Sequence, residues 1–209
     1  MRRFAPFVLS ALLLVCGPFG GMISSHPPAQ AAYGLHGHDL SILGAPVATK
    51  EQCAAFLTSV NPLPHISVTV EELVDLYYEE GISEGVRPDV AFAQALLETG
   101  YFRYGGDVQS HQNNYAGIGA TGHRAKGAEF HSSQTGVRSH IQHLLAYATT
   151  RRPSVTVVDP RYDIVAGDAD KHGKVNTWLE LSGKWAVPGV NYGDKILSIH
   201  RRIVSTSAE

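Results

Sequence analysis

A mainly helical domain with a small irregular lobe, α+β with the β part minor, is the fold class this sequence predicts. Three observations carry it. Apolar side chains recur at helical spacing in several separate segments, two of them opened by a helix-capping pattern. Between Tyr101 and Ser133 that period vanishes into Gly, Asn and short alternations, which mark loops and one or two short strands. No internal repeat or low-complexity tract interrupts the chain, so one core is the simplest arrangement.

Taken in order, the chain begins with the basic start Met1-Arg2-Arg3, an apolar run from Phe4 to Cys16, and Ala29-Gln30-Ala31. That is the three-part pattern of a secretory signal peptide, so residues 1–31 are expected to be removed on export. The expected location is outside the cell or in its envelope. Cleavage leaves 178 residues with 15 basic and 19 acidic side chains. It also removes Cys16, so Cys53 stands without an intrachain partner and reads as buried packing. Residues 32–47 read as a linker or ordered arm, and residues 48–209 as the domain.

A first helix is expected from about Thr49 to Val60, where Thr49 and Gln52 form a capping box and Asn61-Pro62 stops it. Thr69 and Glu72 cap a second, with Val70, Leu73, Val74 and Tyr77 on one face, ending near Gly81 or Gly85. Pro88 suits the first turn of a third, apolar nearly all round and closed by Gly100. After the irregular stretch, Val137, Ile141, Leu144, Leu145 and Ala148 mark another helix, ended by Arg152-Pro153. Val155 to Gly173 has no period, Thr177 to Gly183 holds a short helical turn, and a last helix follows Asn191 with Ile196, Ile199, His200 and Ile203 inward.

The composition excludes several functions. Charged residues are 17% of the chain and hydrophobic ones 44%, with a net charge of −2. That fills a core, offers no polybasic surface for nucleic acid, and leaves no apolar stretch after the leader that would hold a membrane.

Glu98 is the residue out of place. It is the only charged side chain between Asp89 and Arg103, and it sits in the last helical turn, where the macrodipole disfavours a negative charge. Both conditions raise a carboxyl pKa toward what a general acid needs. The alternative is a solvated or ion-paired helix-end carboxylate. An aromatic and amide cluster follows (Tyr101, Phe102, Tyr104, Gln112, Asn113, Asn114, Tyr115), which suits a neutral hydroxylated ligand such as a glycan or, equally, core and turn chemistry. His140 and His143 stand three apart on a helix, with His123 and His131 upstream. No Glu completes an H-E-x-x-H arrangement, so they are read as solvated helix-face histidines and no metal or cofactor is expected.

Three segments in order carry a resemblance: Phe92-Ala93-Gln94-Ala95-Leu96-Leu97-Glu98-Thr99-Gly100-Tyr101, Asn113-Asn114-Tyr115-Ala116-Gly117-Ile118 and Tyr192-Gly193-Asp194-Lys195-Ile196-Leu197. From about Val70 to Val204 the chain resembles the glucosaminidase domain of bacterial cell-wall hydrolases, the autolysin-type endo-β-N-acetylglucosaminidases of glycoside hydrolase family 73. The resemblance implies a lysozyme-like fold and cleavage of the β-1,4 bond between N-acetylglucosamine and N-acetylmuramic acid, with Glu98 as the acid. It implies a second acid on a hairpin, for which Glu129 is the only carboxylate between Ala120 and Ser133. Trp185 stands where members place a functional tyrosine. Tyr101, Asn113, Asn114, Tyr115, Trp185 and Tyr192 are the expected substrate contacts. The implied partner is the peptidoglycan strand, met by a monomer without nucleic acid or a lasting membrane attachment. A lytic transglycosylase on the same fold, a non-catalytic glycan-binding module and a zinc peptidase are the rival readings.

Overall fold

Thr49 begins the described helical framework by accepting a hydrogen bond from Gln52 N while the Gln52 side chain accepts from Thr49 N, the expected capping box. The computed structural model describes residues 40–120 and 126–208. The signal peptide expected at residues 1–31 and the beginning of the arm lie outside them.

Among the described residues six α-helices form the framework: α1 (Lys50–Val60), α2 (Val70–Glu84), α3 (Pro88–Glu98), α4 (Ser133–Ala148), α5 (Tyr162–Ala166) and α6 (Tyr192–Val204). Five fall where apolar period and capping residues place them. The sixth, α5, is a single short turn within the stretch that showed no period, and the segment after Thr177 tightens into a 3-10 turn at Leu179–Leu181. None of these helices is long and apolar enough to cross a membrane.

The apolar helix α3 is the centre of the domain, with Val90, Ala91, Phe92, Ala93, Ala95 and Leu96 all fully buried. Helices α1, α2 and α6 pack around it, and α4 packs on α2. Each neighbour buries one stripe, as in α6, where Ile196, Leu197, Ile199 and Ile203 turn inward and Arg201 and Arg202 turn out. Rings extend this core in edge contacts, Tyr77 on Phe92 at 5.6 Å and Phe102 on Tyr115 at 5.8 Å.

Residues 40–47 are anchored to the domain through Ile42. Ile42 is fully buried, and its carbonyl accepts from Arg87 N at 3.0 Å. The buried carboxylate of Asp89, at the start of α3, accepts from Val47 N, Ala48 N and His200 Nε2. One buried charge thus ties the arm, α3 and α6 together. Cys53 is buried and free, and burial pushes its thiol up to about 12, as packing rather than reactivity requires.

The expected short strands do not form among the described residues, where only isolated bridges occur. Gly117 and Gly119 adopt left-handed backbone angles, and Ala128 N donates to Ile118 O across the loop. Left-handed residues at alternate positions curl the chain, so the alternation seen in the sequence builds a turn instead of a ladder.

Candidate active site

The last turn of α3 delivers Glu98 into an open cleft. Its helix ends in a Schellman arrangement, with Tyr101 N donating to Leu96 O and Gly100 N to Leu97 O. The Thr99 hydroxyl adds a bond to Ala95 O at 2.7 Å and accepts from Phe102 N. Beyond it, Tyr101, Phe102 and Tyr104 all have φ near +60°. Three non-glycine residues held in the left-handed region store strain of about 1–3 kcal/mol each, tolerated because their rings are gripped by the core.

The cleft, of about 610 Å³, is lined by Glu98, the loop 116–120, His143, Tyr147, Trp185 and the cations Arg161, Lys171 and Lys184. Glu98 is the one carboxylate among those lining residues. A smaller recess on its other side, of about 260 Å³, adds Tyr104 and Asp107. Glu98 therefore stands where two stretches of cleft meet.

Its two oxygens face different surroundings. Oε1 accepts from the Tyr192 hydroxyl. Oε2 lies against Gly117, where an added Cβ would come within 3.4 Å of it. Burial raises the Glu98 pKa above the ordinary carboxylate value, while hydrogen bonds from Tyr192 and Trp185 pull it back in part. The carboxyl is thus half-buried, more readily protonated than an ordinary carboxylate, and lines the cleft with its Oε2 beside Gly117.

Tyr192 reaches Glu98 because α6 starts hard against the 3-10 turn: a side chain at Gly193 would collide with the Trp178 carbonyl. Its phenol is itself buried, and burial together with the Glu98 charge keeps it protonated. Trp185 is wedged between His143, at 4.8 Å, and Tyr147, at 5.7 Å, and exposes part of its ring to the cleft. The indole thus helps to hold the Glu98 pKa down from the position where the resemblance led to a phenol.

Several expected contacts are placed elsewhere. Tyr115 is 1% exposed, its hydroxyl bonded to Asn113 Oδ1 and Ser133 Oγ, so it belongs to the core and offers no face to a ligand. Asn113 is buried and spends its side chain on Phe130 O, Ser67 Oγ and Tyr115. Asn114 clamps the loop, accepting from Ala116 N and Ile118 N and donating to Ile118 O and Ala128 O. It shapes the cleft by fixing Gly117 but does not line it. Tyr101 packs on Phe56 at 6.4 Å, its hydroxyl accepting from Arg202, away from the cleft. Glu129 is exposed and lines neither part of the cleft. For Asn113 and Asn114, backbone hydrogen-bonding demand in a tight turn claims the side chain first.

His140 and His143 are corrected as well, since both are buried rather than solvated. His140 lies between Tyr77 and Gln94, and His143 Nδ1 meets Asp159 Oδ2 at 2.7 Å beside the cleft. Gln142 brings Asp159 there by holding Val158 N, Asp159 N and Thr156 O. The described residues include no group of three or more His, Cys, Asp or Glu spaced to hold a metal. Gln94, His143, Tyr147 and Arg161 were not singled out as site residues. Gln94 carries a local signal as the lone polar residue inside the apolar run of α3, and His143 carries one only in its spacing from His140.

An acid shared by two adjoining parts of a cleft, with an aromatic ring and hydrogen-bonding groups along it, defines a glycoside-hydrolase type of site on a helical domain. The chain belongs to the glucosaminidase family: the family model described as mannosyl-glycoprotein endo-β-N-acetylglucosaminidase matches residues 74–204. It is also similar to an uncharacterized protein of Borreliella burgdorferi, 41% identical over 117 residues. That match covers 56% of this chain and 55% of the relative, so the chain spans about half the length of the curated relative it matches. No solved structure matches it.

Proposed function

We propose that this chain is an exported peptidoglycan hydrolase that cuts the β-1,4 bond following N-acetylglucosamine, with Glu98 as general acid. One observation carries the reading: a half-buried carboxyl of raised pKa, the only acid lining the larger cleft among the described residues, has one oxygen held by Tyr192 and the other beside the cleft-lining Gly117. In the reaction, Glu98 protonates the glycosidic oxygen as the C1–O bond breaks and the sugar takes on oxocarbenium character. Water adds at C1 and its proton returns to Glu98. With no second carboxylate in the larger cleft among the described residues, the acetamido oxygen of the substrate is the favoured partner at C1 before water displaces it. Trp185, backed by the buried Tyr147 ring, supplies a stacking face, and Arg161, Lys171 and Lys184 place positive charge beside an anionic polymer despite the acidic excess of the whole chain.

Purified peptidoglycan digested by the full chain and examined by mass spectrometry tests the bond. Fragments with N-acetylglucosamine at the reducing end are expected. Reducing-end N-acetylmuramic acid makes the protein a muramidase, 1,6-anhydro ends make it a transglycosylase, and intact strands leave only a glycan-binding module. Export rests on the basic start and the Ala29-Gln30-Ala31 site, and predicts an extracellular or envelope protein whose N-terminus is Ala32. Intact Met1 on the located protein would contradict it.

A further inference from the structure

Behind Glu98 runs a series of buried polar side chains that the hydrolytic step does not touch. Tyr77, Gln94 and His140 are each fully buried, and Tyr192 nearly so. His140 Nδ1 lies 3.0 Å from the Tyr77 hydroxyl, and its Nε2 lies 3.0 Å from Gln94 Oε1. Gln94 Nε2 donates to the Tyr192 hydroxyl at 2.8 Å, and that hydroxyl donates to Glu98 Oε1.

The direction of every bond follows from the far end. His140 Nδ1 is the one hydrogen-bond partner of the buried Tyr77 hydroxyl among the described residues, so the phenol proton goes there. Nδ1 is then the acceptor nitrogen and the imidazole proton sits on Nε2. That proton satisfies Gln94 Oε1, which turns the Gln94 amide nitrogen toward Tyr192. The Tyr192 oxygen is filled by that donor, so its own proton points to Glu98. Burial holds His140 neutral, its pKa pushed down to about 3, which keeps the chain in this one state at all working pH values.

We infer that Tyr77, His140 and Gln94 are positioning residues that fix Tyr192 as a donor to Glu98 Oε1, so that the transferable proton is kept on Oε2, beside the cleft-lining Gly117. A donor pointing at Oε1 repels a proton on that oxygen and leaves Oε2, beside Gly117, to carry it. The inference rests on Glu98 being the acid of the proposed reaction, but its test does not depend on catalysis.

The test is nuclear magnetic resonance on the full chain. The ¹⁵N shifts of His140 in the parent protein are expected to show the neutral Nε2–H tautomer throughout about pH 5–8. Titration of the Glu98 carboxyl by ¹³C is then compared in the parent and in Gln94→Leu, His140→Asn and His140→Gln. Asparagine reaches only the Nδ1 position and loses Gln94, whereas glutamine returns a nitrogen donor near the Nε2 position. The Glu98 midpoint should rise by about half a unit or more in Gln94→Leu and His140→Asn and return toward the parent in His140→Gln. The other titratable or charged groups facing the cleft are unchanged in every variant: His143, Tyr147, Arg161, Lys171 and Lys184 on one side, Tyr104 and Asp107 on the other. A His140 that is charged or protonated on Nδ1 would overturn the inference, as would a Glu98 midpoint indifferent to these changes in folded variants. Should a variant fail to fold, the tautomer in the parent decides. A parent that shows the expected tautomer and titration yet cuts no glycan would refute the proposed function and leave this hydrogen-bond chain standing.

Discussion

Replacing Asp89 by Asn removes one charge from the point where the N-terminal arm, α3 and α6 meet. In the folded protein the Asp89 carboxylate is fully buried and accepts from Val47 N at 2.8 Å, Ala48 N at 3.1 Å and His200 Nε2 at 2.7 Å, with the Arg87 guanidinium 3.4 Å away. Burial alone would raise its pKa. The bonds and charges of His200 and Arg87, with the bond from Val47 N, outweigh burial and hold it at about 2, against 3.8 for the free side chain. A depression of that size corresponds to about 2–3 kcal/mol of folding stability from the charged form. Because the folded pKa is the lower one, this contribution is complete above about pH 5 and is lost as pH falls through about 2. Asp89→Asn should therefore lower the unfolding free energy at pH 7 by about 2–3 kcal/mol and narrow its gap to the parent steadily below pH 4. Urea melts across that pH range measure it. Equal stability at pH 7, or a deficit that persists undiminished at pH 2, would refute the claim that ionisation of Asp89 ties the arm to the core.

Three further outcomes follow from the geometry. Tyr115→Ala should cost about 3–5 kcal/mol in a thermal or urea melt and leave glycan-fragment affinity of the folded fraction unchanged, because the ring is core. Gly117→Ala places a Cβ 3.4 Å from Glu98 Oε2 at a backbone φ of +64°, so kcat should fall about tenfold or more, with a stability loss of about 1–2 kcal/mol. Trp185→Ala should raise KM for peptidoglycan about tenfold by removing a stacking face, and should move the high-pH limb of activity upward as Glu98 loses a donor.

Helix positions were legible in the sequence because each helix announces itself locally. Thr49 with Gln52, Thr69 with Glu72, Pro88 at a first turn and the inward stripe of α6 act within a few residues of where they stand. Glu98 was legible for a related reason, as a charge in an apolar run at a helix end needs an explanation. The amide and aromatic cluster at 112–115 misled because turn clamping and sugar binding call for the same residue types. Asn114 can serve the backbone of its own loop or a ligand, and only the fold decides. His140 and His143 looked solvated because their partners, Gln94 and Asp159, are 46 and 16 residues away. The strands expected around 115–120 depended on backbone angles at Gly117 and Gly119, which alternation of side chains does not reveal.

The central claim is that Glu98 gives up the proton that breaks the glycosidic bond, and turnover of Glu98→Gln tests it most directly. Glutamine keeps the size and an oxygen that accepts from Tyr192, but carries no transferable proton. With purified peptidoglycan at saturating concentration, the variant should turn over about 100-fold or more slowly than the parent while its melting temperature is unchanged or slightly higher. In the parent, activity should fall as pH rises through the raised pKa of Glu98, because the acid is then lost. A Gln variant that digests peptidoglycan as fast as the parent would contradict the account.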